Sequence, residues 1–407
     1  VPNDPWYYLV VDPDVGGHLD ISRHLSAISV SDHYSFPELS NEMSAGFTTL
    51  VQMLLEWVRS TNTAGAASGR LGGGEVTFDF VGENSSVLLV DGSRPIAVKV
   101  YPSHKRAAAR LEAWYLSTLG DYKYDMQQED PSPVNIPDYI RYEPAAPTML
   151  EQLWQTRLRG EKLSNDRIRQ LSDAEKRAAG TKLGASVAWM ARAISPEKYK
   201  ALLEESGNPV LFDRAELIRN VTNMQNLPRR FLTMDDREFA QRAATKGSEL
   251  YQPLVALLRW MEGEYKALEV GGLLHSSNPI VGHDDLRPDN MLFTTDDGEW
   301  SLDGLLDFGL TRCMDPERIF RHIVPLGEAF YGPAIEAYER ETGRRIDRRK
   351  LHLWAIGQAA TMATAYAMSI DKVVGLRGAT ANRQRLRAVA ADLQALVPEH
   401  DWSGLAA

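Results

Sequence analysis

The chain has 407 residues, of which 43% are apolar and 9% aromatic, the composition of a packed globular protein and not of a disordered one. A net charge of −10 lacks the basic footprint that general nucleic-acid binding requires, and the single cysteine, Cys313, excludes an internal disulfide. No apolar run reaches transmembrane length and the N-terminus carries no basic, apolar secretory segment, so a cytoplasmic location without a membrane partner is expected.

In chain order, Trp6–Val11 reads as a strand, followed by a polar stretch and a helix over about Pro37–Arg59. Met43, Phe47, Val51, Leu54, Leu55 and Val58 give that helix one apolar face, and Thr61–Gly69 is a small-residue linker. Residues 1–70 therefore read as an N-terminal cap module. Phe78–Val81 alternates, Gly82-Glu83-Asn84-Ser85-Ser86 breaks the run, and Val87–Val90 resumes it. After the turn Asp91–Pro95, Ile96–Val100 forms a third strand that carries Lys99 among apolar residues. A helix over Lys105–Leu119 buries Leu111, Tyr115 and Leu119; its Glu112 either faces Lys99 or pairs with Arg106 or another cation nearby. Gly72-Gly73-Gly74 comes one strand too early for a phosphate loop and reads as a flexible lead-in. Tyr139–Tyr142 and Pro147–Leu153 look like the last strands of a small lobe over residues 71–153. Residues 154–407 are predominantly helical, with helices over Ala174–Ile194, Arg214–Asn223, Asp236–Leu268 (divided at Pro253), Pro333–Thr342, Arg348–Ile370 and about Ala381–Leu396.

Between those helices lies the most informative stretch, His283-Asp284-Asp285-Leu286-Arg287-Pro288-Asp289-Asn290, with Asp307-Phe308-Gly309 behind it. Leu292-Phe293 and Leu305-Leu306 read as two short strands joined by the polar turn Asp296-Asp297-Gly298, a hairpin that returns Asp307 to the mouth of the loop. Phosphoryl transfer needs a carboxylate that takes or orients the proton of the attacking hydroxyl, and oxygen ligands that hold Mg²⁺ against nucleotide phosphates. Asp285 has the position of the first, and Asn290 and Asp307 those of the second. Arg287 either neutralises the transferring phosphate or pairs with Asp284 or Asp289.

These residues resemble the aminoglycoside phosphotransferase and choline kinase family, a branch of the protein-kinase-like fold. Its loop commonly reads His-Gly-Asp-x-x-x-x-Asn, with a second Asp before a Phe or Trp. Here Asp284 replaces the usual Gly and Arg287 stands where many members have His. Family members often have Asp-Pro and, three residues later, Asp-Leu; Asp315-Pro316 fits, but Ile319 occupies the later Asp position. Many members also end the helix near Trp189 with Leu-His, where this chain reads Trp189-Met190-Ala191-Arg192. The late helix ending at Thr342-Gly343 fits the pattern, and the resemblance spans roughly residues 75–370.

The resemblance implies a two-lobed α+β fold, with a strand-rich nucleotide lobe and a helical catalytic lobe. It implies a phosphate loop at Gly82, Ser85 and Ser86, a phosphate-binding Lys99 oriented by Glu112, and a hinge at Glu151 to Leu153 whose backbone meets the nucleotide base. The expected cofactors are ATP or GTP with Mg²⁺. The acceptor would be a hydroxyl of a small polar molecule, such as an aminoglycoside, an amino sugar or a related metabolite. Two other readings stand beside this one: a kinase for Ser or Thr of a peptide in a biosynthetic pathway, and a nucleotide-binding scaffold without catalysis.

Overall fold

The computed structural model describes residues 7–10, 75–79, 86–90, 95–101, 106–126, 129–144, 151–205, 263, 279–369 and 387–398. The expected helices over Pro37–Arg59, Arg214–Asn223 and, but for Gly263, Asp236–Leu268, the Thr61–Gly69 linker, and Gly72–Gly74, Gly82 and Ser85 lie outside these residues. The chain divides into two compact units.

The first unit is built on a six-stranded antiparallel sheet. Its strands are β1 (Tyr7–Val10), β2 (Glu75–Asp79), β3 (Ser86–Val90), β4 (Ile96–Tyr101), β5 (Tyr139–Glu143) and β6 (Glu151–Thr156), in the order β1-β2-β3-β4-β6-β5. Ser86 begins β3, opposite Val100 of β4. Helix α1 (Arg106–Asp125) follows β4 and buries Leu111, Tyr115, Leu116 and Leu119. It runs beyond the expected end at Leu119 because nothing in Gly120–Asp125 stops a helix; the apolar spacing ends there, but the backbone continues. Leu305–Leu310 also belongs to this unit.

Strand β6 corrects one expectation. The chain does not leave the sheet at Glu151–Leu153 but runs on to Thr156. Gln152 and Leu153 have partners on both sides, Val100 and Lys99 in β4 and Glu143 and Tyr142 in β5. The backbone of Gln152 and Leu153 thus lies within the sheet, whereas Glu151 pairs only with Tyr101 of β4. The Glu151 side chain is buried too, where it accepts from the Tyr142 hydroxyl.

The second unit is helical around two small two-stranded sheets. Its helices are α2 (Asn165–Gln170), α3 (Asp173–Ala193), α4 (Pro196–Glu205), α5 (Pro316–Phe320), α6 (Glu328–Thr342) and α7 (Arg348–Ser369), with a further helical stretch over 387–396. Strand β7 (Ile280–His283) pairs antiparallel with β10 (Thr311–Met314), and β8 (Met291–Asp296) with β9 (Glu299–Leu305). The β8–β9 turn has positive φ at Asp297 (51°) and Gly298 (86°), as a two-residue type I′ hairpin requires. Helix α3 starts with a capping box in which Ser172 accepts from the Glu175 N–H and Glu175 accepts from the Ser172 N–H. Helix α6 begins five residues before Pro333, so this proline lies inside the helix and not at its start. Among the described residues, no helix is long and apolar enough to cross a membrane.

Helices α3 and α6 meet backbone to backbone, which the sequence permits through two glycines one turn apart. A Cβ on Gly180 would lie 2.1 Å from the Phe330 carbonyl oxygen, and one on Gly184 would lie 1.8 Å from that of Ala334. No rotamer relieves a clash with backbone. Gly184→Ala is therefore expected to force the helices apart and to destabilise the protein by about 1–3 kcal/mol, as overpacking typically does. Urea denaturation checks this, and an unchanged midpoint would mean that the crossing is looser than its geometry.

Candidate active site

In the first unit, Lys99 lies on β4, where all six residues are buried, so its ammonium is held in the interior. Glu112 of α1, fully buried, accepts from Lys99 Nζ at 2.7 Å, and Asp307 Oδ1 accepts from it at 2.9 Å. Burial alone would lower the Lys99 pKa, but Asp307 and Glu112 more than offset it and hold the amine above its ordinary value, fully protonated. Of the two partners open to Glu112, the structure brings it to Lys99.

Glu112 collects further donors. The Tyr101 hydroxyl donates to its Oε2, and the Phe308 backbone N–H donates to Oε1 at 3.1 Å. One carboxylate thus ties the lysine strand to the Asp307-Phe308-Gly309 segment. Phe308 is buried and its ring stacks on Tyr115 of α1 at 5.6 Å. A Cβ on Gly309 would come within 3.3 Å of Glu112 Oε2, a tight approach to the carboxylate. Asp307 itself has φ of 65°, a left-handed conformation that costs a non-glycine residue energy and that clusters at functional sites. Sequence reading passed over Tyr101, although strand alternation puts it on the same face as Lys99 two residues earlier.

In the second unit, β7 delivers His283 into a tight loop. The Asp285 N–H donates to His283 Nδ1 at 3.1 Å, and the Arg287 N–H donates to the Asp285 carbonyl at 2.8 Å. Arg287 is extended, as a residue before proline prefers, and Pro288 opens a 3-10 turn that ends at Asn290. The Asn290 side-chain amide then donates to the Asp285 carbonyl at 2.8 Å and to Asp285 Oδ2 at 3.1 Å. With both amide bonds turned to Asp285, the Asn290 side-chain oxygen is left as its acceptor. Arg287 reaches Asp285 itself, its Nε lying 2.9 Å from Oδ1.

Asp284, at the position where the resemblance expects glycine, has a structural explanation. Its buried carboxylate accepts from Arg318 at 2.8 and 2.6 Å and from Arg321 at 2.6 Å, with Arg312 at 3.4 Å. Arg321 also donates to the Asp284 carbonyl at 2.7 Å. Burial pushes the carboxyl pKa up, but the arginines outweigh it and hold it below the ordinary value. Burial lowers Arg321 to about 10, against the pull of Asp284, and both groups stay charged at neutral pH.

The other residues set against the family pattern are likewise held in the fold. Ile319, in place of an Asp, is fully buried and packs onto Gly282 of β7, where a Cβ would lie 2.5 Å from its Cδ1. The Trp189 indole donates to the Asp130 carbonyl at 2.8 Å, and Arg192 forks onto the Asp130 carboxylate at 3.0 and 2.8 Å. Asp315 pairs through its carboxylate with Lys350 at 2.6 Å.

Residues 81–354, more than half of the chain, match the model of the APH phosphotransferase enzyme family. The chain belongs to the APH family. It is thus a phosphotransferase with an alcohol group as acceptor, of kinase-like fold. Among solved structures it is similar to an APH(2") enzyme in complex with GDP and kanamycin, at 16% identity and TM-score 0.50, over 76% of this chain and 92% of that one. It is also similar to the GDP complex of wild-type aminoglycoside 2'-phosphotransferase-IIIa, at 14% identity and TM-score 0.51, over 78% of this chain and 91% of that one. These likenesses show the shared APH fold. No curated protein matches the chain by sequence.

Proposed function

We propose that this APH-family protein transfers the γ-phosphoryl group of ATP or GTP to a hydroxyl of a small polar molecule such as an aminoglycoside, an amino sugar or a related metabolite. The observation that carries the proposal is the Asp285 carboxylate, oriented by Asn290 and neighboured by Arg287, in a chain whose Lys99 is fixed by Glu112 and Asp307. Asp285 takes the proton of the acceptor hydroxyl as its oxygen attacks the γ-phosphorus. The bond from that phosphorus to the β–γ bridging oxygen breaks, and the nucleoside diphosphate leaves. Lys99 meets the α- and β-phosphates, and Gly82, Ser85 and Ser86 cover them.

Asp307 and Asn290 offer the hard oxygen donors that Mg²⁺ prefers. The Asp307 side chain is about one-third exposed, and the Asn290 amide is turned so that its oxygen is the remaining acceptor. When bound, Mg²⁺ neutralises charge on the phosphates. Asp307→Ala is expected to abolish Mg²⁺-dependent turnover, because a neutral water would not replace the charge of a carboxylate ligand to the cation. Turnover with unchanged Mg²⁺ dependence would put the metal elsewhere. The backbone at the end of β6, the strand that carries Glu151 and Leu153 and runs to Thr156, is the stretch proposed to meet the nucleotide base.

The test is a screen of sugars, aminoglycosides and other antibiotics, and Ser/Thr peptides, each with γ-labelled ATP or GTP. Label on a small hydroxyl compound supports the proposal. Label on peptides alone redirects it to a peptide kinase, and nucleotide binding without transfer to any acceptor would leave a scaffold.

A further inference from the structure

The turn that follows α5 carries a histidine that no motif accounts for. His322 is nine-tenths buried, with 8% of its side chain exposed, and its Nε2 is fully enclosed with no hydrogen-bond partner among the described residues. An enclosed polar atom without a partner is rare and calls for a reason. The nearest acidic oxygen is Asp285 Oδ1, 3.6 Å away. That is a few tenths of an ångström beyond a good hydrogen bond, and active-site hydrogen bonds are often long without substrate.

Resting on the phosphotransferase reading above, we propose that His322 is a positioning residue for the base, its Nε2–H closing onto Asp285 Oδ1 when the acceptor hydroxyl binds. An ionised carboxylate can only accept, so the proton must sit on Nε2. Burial first, and then Arg321, Arg287, His283 and Arg318, press the His322 pKa well below its ordinary value, which keeps the ring neutral. The neutrality matters. Arg287 already brings a full positive charge to Oδ1, and a second cation there would oppose the carboxylate's gain of a proton. A neutral donor orients the carboxylate without that effect. Asn290 fixes Oδ2 from one side and His322 fixes Oδ1 from the other, so the carboxylate plane is set by two elements 32 residues apart in the chain, Asn290 and His322. The histidine that many relatives carry in the loop is Arg287 here, and the imidazole beside the base comes instead from the turn after α5.

The test compares His322→Ala and His322→Gln with the parent enzyme, and repeats both in an Asp285→Asn background. His322→Ala is expected to lower kcat by about 10- to 100-fold, the loss of one hydrogen bond to a charged group, with both KM values little changed. His322→Gln, whose amide keeps a donor near the same place, is expected to recover most of it. In the Asp285→Asn background His322→Ala is expected to cost almost nothing more, because a residue that acts through the base has nothing left to position. An equal loss in both backgrounds, or a lower melting temperature with kcat intact, would overturn the proposal. If the alanine variant does not fold, His322→Phe fills the space without a donor and carries the same comparison. Full turnover by Asp285→Asn alone would instead overturn the assignment of the base.

Discussion

Asp285→Asn is expected to reduce turnover by about 10²–10⁴-fold while leaving nucleotide affinity almost unchanged. The substitution keeps the size of the side chain but removes the group that accepts the hydroxyl proton. The loop is expected to survive, since the two bonds that most define it, from the Arg287 N–H and from the Asn290 amide, end on the Asp285 backbone carbonyl. Steady-state kinetics with saturating nucleotide, alongside a direct binding measurement, separates the two effects. A variant that turns over at a near-normal rate would remove Asp285 from the chemistry.

Asp284→Ala is expected to act on stability, by about 3–5 kcal/mol, the cost of removing one partner from a buried ion pair. Arg318 and Arg321 would keep their charges in the interior with the carboxylate gone. The pH dependence follows from the lowered pKa of Asp284. A carboxyl more acidic in the folded chain than its ordinary 3.8 contributes in full above that value and loses its contribution as pH falls through the folded pKa. Parent and variant are therefore expected to differ by a constant amount from neutral down to mildly acidic pH and to converge only in strong acid. Denaturant titration at several pH values checks this. A difference that vanished already near neutrality would contradict the picture of a carboxylate held by arginines.

How far the sequence could be read depends on how local each signal is. Asp285, Asn290 and Asp307 stand at fixed spacings around a hairpin whose turn residues, Asp297 and Gly298, announce the backbone they adopt. Lys99 sits in a short apolar strand, and Glu112 on the helix that follows, so their meeting was within reach of a local argument. The end of β6 was not, because a strand stops where its neighbours stop, and Thr156 pairs with Ile96, some 60 residues earlier. Arg318, Arg321 and His322 were illegible for a related reason. They reach Asp284 and Asp285 across more than 30 residues from a segment without periodicity, and an arginine in such a segment reads as solvated surface until a buried partner is seen. Asp284 looked like a lost glycine for the same reason, although the arginines that balance it were in plain view.

Direct transfer can be followed by mass. The nucleotide is supplied with heavy oxygen on its γ-phosphate, Mg²⁺ and the best acceptor from the screen are added, and the acceptor is weighed afterwards. A phosphotransferase built as described yields an acceptor heavier by one phosphoryl group that retains all of the nucleotide's non-bridging label, with one nucleoside diphosphate formed per product. Label that appeared only in inorganic phosphate, with the acceptor unchanged, would contradict the central claim.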